Sequence, residues 1–98
     1  MPNPNMSPAD LRRWKESEAY AEYRSYRGPA TVDTVVRRTM RVLKGTASDS
    51  DTKKLKAYLA RAKKGPAGRR RFGSGRSKVS AKTAALRNWG YDTTGRFS

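Results

Sequence analysis

The sequence predicts an all-α fold: a small three-helix bundle, a Gly/Arg-rich extended arm and a short C-terminal helix. Three observations carry this. Apolar residues recur at helical spacing in three successive segments. Ser or Thr stands at the start of each segment, and Gly or Gly-Pro stands at its end. Gly65 to Lys78 then holds four glycines, one proline and five cations, with Phe72 as its one large apolar side chain. Such a stretch buries too little apolar surface to offset its own ordering entropy. The implied organisation is a helical domain at 1–64 with an extended N-terminal lead, a basic flexible arm at 65–79, and a short helix with a docking tail at 80–98.

The first helix is predicted from Pro8 to about Arg27. Ser7 is placed as N-cap, Pro8 at the first helical position, Asp10 as the capping-box acid and Met6 as a staple against Leu11. Leu11, Trp14, Ala19, Tyr23 and Tyr26 share a broad arc with Glu18 and Glu22, with Tyr20 off it. Gly28-Pro29 ends the helix, and Thr31 is read as the next cap. Val32, Val35, Val36, Thr39, Met40 and Leu43 then follow a 3.6-residue period up to Gly45, opposite Arg37, Arg38, Arg41 and Lys44. Their spacing is not two, which argues against a strand. Ser48 to Asp51 supplies a cap and acids for a third helix from about Thr52 to Lys64, with Leu55, Tyr58, Leu59 and Ala62 inward. Gly65-Pro66 stops it. Ser80 caps a last helix from Ala81 to Trp89, ended by Gly90.

Charge is the strongest functional signal. The 98 residues carry a net charge of +15, with 35% hydrophobic residues, so the core is thin and the surface strongly cationic. Residues 1–52 hold nine Lys or Arg against seven acids, whereas residues 53–98 hold fourteen against Asp92 alone. That asymmetry points to a polyanionic partner. The expected phosphate-facing residues are Lys53, Lys54, Lys56, Arg61, Lys63 and Lys64 of the third helix, continuing into Arg69, Arg70, Arg71, Arg76 and Lys78 of the arm. DNA and RNA backbones are the leading partners, and an anionic membrane face is a further one. Trp14, Tyr23, Trp89, Tyr91 and Phe97 are expected to dock on neighbouring protein subunits.

Several chemistries are disfavoured. With neither Cys nor His, the chain has no thiolate site, no disulfide framework and no imidazole for acid-base work. No enzyme activity, cofactor or small-molecule substrate is expected. The acids of Ser48 to Asp51 lack the Gly and Glu of a calcium loop. Gly73 to Lys78 fails as a phosphate loop, because Lys78 follows Ser77 and precedes Val79. The third helix has no Asn or Gln for bidentate base readout, and the Thr46 to Ser50 turn is long for a helix-turn-helix. The opening residues lack a signal-peptide pattern and no apolar run reaches spanning length, so neither secretion nor a transmembrane segment is expected.

The run Ala62 to Ala67 is similar in composition to a linker-histone-type tail. The segment Ser77-Lys78-Val79-Ser80-Ala81-Lys82-Thr83-Ala84-Ala85-Leu86-Arg87-Asn88-Trp89-Gly90-Tyr91-Asp92 resembles short basic segments of virion-associated proteins of large double-stranded DNA viruses. That resemblance implies a minor capsid or core component that docks on neighbouring subunits and meets packaged DNA, located in a virion or another intracellular assembly. The alternative expectation is a sequence-independent nucleic-acid-binding protein, chromatin-like or ribosomal. Both use the basic track; they differ in what the aromatic residues do.

Overall fold

The computed structural model describes residues 3–95, with Ser77 in its backbone alone. Among them are five helices and a two-stranded antiparallel ladder, so the chain is mostly helical. In order these are α1 (Pro8–Lys15), α2 (Glu18–Arg27), α3 (Pro29–Leu43), α4 (Asp49–Ala62), β1 (Arg71–Phe72), a 3-10 turn (Gly75–Ser77), β2 (Val79–Ser80) and α5 (Ala81–Asn88).

The expected first helix is two. Its start is as read: Asp10 N–H donates to Ser7 Oγ at 3.1 Å and Ser7 N–H to Asp10 Oδ2 at 3.0 Å. The Ser7 backbone bond holds the Asp10 carboxyl below its ordinary range, against the opposing push of burial. The break comes at Ser17, whose hydroxyl donates to the Trp14 carbonyl at 2.6 Å and accepts from Tyr20 N–H at 3.2 Å. A serine that bonds the local backbone on both sides closes one helix and caps the next. The break resets the helical phase, so Tyr20 turns inward with Tyr23, while Tyr26 is left 53% exposed.

α3 begins at Pro29, two residues before the expected Thr31 cap. Gly28 closes α2 and opens α3 in one residue at φ +114°, a corner that a residue with a Cβ adopts only under strain. Arg24 clamps the corner through two 2.8 Å bonds to the Asp33 carboxylate. α4 starts at Asp49, with Ser48 as the cap, and Arg38 reaches Asp51 at 3.7 Å to tie α3 to α4. α5 starts where the sequence places it, with Ser80 Oγ accepting from Thr83 N–H.

The arm is folded, and this corrects the expectation of a flexible segment. Phe72 is 2% exposed, lies edge-on to Tyr23 at 5.1 Å and pairs with Val79 in the β1–β2 ladder. Gly73 N–H donates to the Glu22 carboxylate at 3.1 Å and the Ser74 hydroxyl to Glu18 at 2.8 Å. One core therefore draws on all three expected segments: Met6, Leu11, Trp14, Tyr20, Tyr23, Val32, Val36, Phe72, Val79 and Ala84. Leu55, Leu59 and Leu86 form a smaller adjoining cluster.

The N-terminal lead is fastened across the chain. Asn5 and Met6 N–H both donate to the Gly90 carbonyl, and the Asn5 carboxamide exchanges two bonds with the Asp92 backbone at 2.8 and 2.7 Å. Gly90 has φ +84°, and a Cβ there would lie 3.2 Å from both Pro4 and Thr39. Beside it, Arg87 and Asp92 form a buried ion pair at 2.9 Å, with side chains 2% and 0% exposed.

Candidate nucleic-acid interface

The eleven expected phosphate-facing residues lie at the surface: Lys53, Lys54, Arg61, Lys63, Lys64, Arg69, Arg70, Arg71, Arg76 and Lys78 are exposed and Lys56 is half-buried. They do not make one stripe. At about 100° per residue, Lys54 and Arg61 fall on the flank of α4 that carries Tyr58, and Lys56 and Lys63 fall on the other. On that second flank Lys63 Nζ sits 4.6 Å over the Tyr91 ring. Lys82, outside the expected set, is consumed internally. Its ammonium donates to the Lys63 and Gly65 carbonyls at 2.7 and 2.8 Å, at the negative end of α4.

Two of the expected docking aromatics are core residues. Trp14 is fully enclosed and Tyr23 is buried, so neither presents a ring face to a neighbouring subunit. The Trp14 indole N–H donates to Asn88 Oδ1 at 2.7 Å, and the Arg87 guanidinium lies 5.0 Å from its ring. Trp89 and Tyr91 are half-buried. Trp89 stacks on Tyr58 with centroids 4.0 Å apart and planes 14° from parallel. Phe97 lies outside the described residues.

The structure adds aromatic and cationic residues that the sequence reading did not select. Among the described residues Tyr26 is the exposed large aromatic, and the Arg70 guanidinium stands 4.5 Å over its ring. Phe72 supports Tyr26 from within at 5.4 Å. The arm is thereby anchored on the last turn of α2. Arg27, next along, shares a cleft with Tyr23 and Tyr58. Burial raises the pKa of both phenols. Arg70, Tyr26 and Phe72 thus tie the arm to the end of α2. The sequence held one signal for this, the dipeptide Tyr26-Arg27 beside a glycine corner.

Between α2, α3, α4 and α5 a cleft of about 180 Å³ opens beside these residues. Tyr23, Val32 and Asn88 form its buried part, Val35, Tyr58, Ala85 and Trp89 its walls, and the exposed Arg27 and Thr31 its rim. Among the described residues no group of three or more acids is placed to hold a metal ion, and no helix is long and apolar enough to cross a membrane. No protein-family model matches the chain, and no characterised protein or solved structure shows detectable similarity to it.

Proposed function

We propose that this chain is a non-enzymatic, sequence-independent nucleic-acid-binding protein that grips the phosphate backbone through α4 and the β1 arm. One observation carries the reading: the fold engages six of its eight acids in internal contacts and leaves the cations of α4 and the arm outside. Asp10, Glu18, Glu22, Asp33, Asp51 and Asp92 are each engaged in caps, ion pairs or loop anchors. The cations of α4 and the arm stay exposed, several beside aromatic rings. Fixed cations of this density recruit polyanions by releasing condensed counterions, without reading bases.

A minor capsid or core role remains the second reading, favoured by Trp89 and Tyr91 at the surface end of α5. With Trp14 and Tyr23 enclosed, it has fewer aromatic contacts to offer a neighbouring subunit. Titrating the full chain against duplex DNA, structured RNA and anionic vesicles across a salt series tests the adopted reading. We expect tight nucleic-acid binding with little sequence preference, losing about 10³-fold or more between 50 and 200 mM salt. Weak binding to both nucleic acids at physiological salt would overturn it, and stronger binding to vesicles would move the function to a membrane surface.

A further inference from the structure

We infer that the cleft between α2, α3, α4 and α5 seats one unpaired nucleobase of a single-stranded nucleic acid. The inference rests on the proposed phosphate-binding function and adds to it a site for the base itself. Three features select this guest. The volume of about 180 Å³ suits a single planar ring system and is too small for a folded peptide element. Tyr58 and Trp89, stacked on each other, make an aromatic wall. Asn88 supplies polarity at the floor: its Oδ1 is taken by the Trp14 indole, which leaves the amide N–H groups as donors toward a guest.

The surroundings fix which ring system it is. Arg27 stands at the exposed rim, so a ring entering here arrives beside a guanidinium group. A base carries a phosphate on each side along its strand, and aromatic walls with flanking cations are how proteins hold single strands without reading sequence. A base stacked inside a duplex does not reach such a cleft without being extruded.

The test uses the full chain, a single-stranded oligodeoxynucleotide and a fully abasic strand of equal length and charge. The base-bearing strand is expected to bind about five- to a hundred-fold more tightly, and to perturb the emission of Trp89 while Trp14 stays enclosed. Two filling variants localise the effect: Ala85→Leu on the wall, and Thr31→Tyr at the exposed rim, where no core packing is disturbed. Each is expected to bind the base-bearing strand as weakly as the abasic one while keeping wild-type affinity for the abasic strand. Equal binding of the two strands by the wild-type protein overturns the seat and leaves the phosphate reading intact. A base-dependent gain that survives in Thr31→Tyr also overturns it, assigning the stacking elsewhere, with Tyr26 the next ring. Failure to bind either strand removes the phosphate reading and the seat together.

Discussion

Asp92 is the one acid in the basic half of the sequence, and the fold uses it inside. Its carboxylate takes the Arg87 guanidinium at 2.9 Å and bonds the Thr94 hydroxyl and N–H, while its backbone holds Asn5. Burial pushes its pKa up, but the bonds from Arg87 and Thr94 outweigh that push and leave it below the ordinary 3.8. A folded-state pKa below the unfolded one stabilises above the unfolded value and is lost as pH falls through the folded one. The contribution is therefore intact at neutral pH and fades below pH 3.8. Asp92→Asn would leave the Arg87 charge buried without its counterion, at a cost of about 3 kcal/mol at pH 7. Urea titrations of the two proteins should differ by that amount at pH 7 and converge as the pH falls below 3.8. A difference that does not depend on pH would show that packing, not charge, sets the role of Asp92.

At the scale of elements, the arm separates what local sequence carries from what it does not. Helix starts at Ser7 and Ser80 were legible because a cap and its partner lie within three residues of each other, whereas α4 begins at Asp49, three residues before the expected Thr52. The amphipathic period of α3 was legible because one helix face is a local pattern. Phe72 was not, since its partners Tyr23, Tyr26 and Val79 come from other elements. The Ser17 break was equally hidden, because a serine inside a continuing apolar arc reads as tolerated polarity until its two backbone bonds are seen. Among candidate site residues, exposed cations could be read from composition, whereas the enclosure of Trp14 depends on Asn88 and Arg87 of α5, and the exposure of Tyr26 on a helical phase that Ser17 resets. The folded arm has a direct consequence. Phe72→Ala should cost about 3 kcal/mol or more in denaturant unfolding, while in a flexible arm the same change would stay within about 0.5 kcal/mol.

For the whole molecule, one shared core decides how the polyanion reading is to be tested. A cut at Gly65 would remove Phe72, Val79, Ala84 and the Arg87–Asp92 pair together with the charge of the arm, so a loss of affinity after it would report unfolding as much as missing charge. Substitution in place keeps the two apart. Arg69, Arg70 and Arg71 are exposed; Arg71 donates to the Gly68 and Arg70 carbonyls, and Arg70 stands over the Tyr26 and Phe72 rings. Replacing all three with Gln removes three positive charges while retaining Phe72, the β1–β2 ladder and the Gly73 anchor on Glu22. Because each neutralised phosphate contributes about 0.9 to the logarithmic salt slope on duplex DNA, the triple variant should lower that slope by about 2 to 3. Its unfolding midpoint should shift little, since the three side chains are exposed and Phe72 keeps its packing on Tyr23 and Tyr26. A slope that stays constant would place the binding contacts on α4 alone, and Lys54→Gln and Arg61→Gln would then each lower it by about 1. A slope that falls together with the unfolding midpoint would mean that Arg70 over Tyr26 holds the arm to α2, making that pair a structural fastening before it is a contact for nucleic acid.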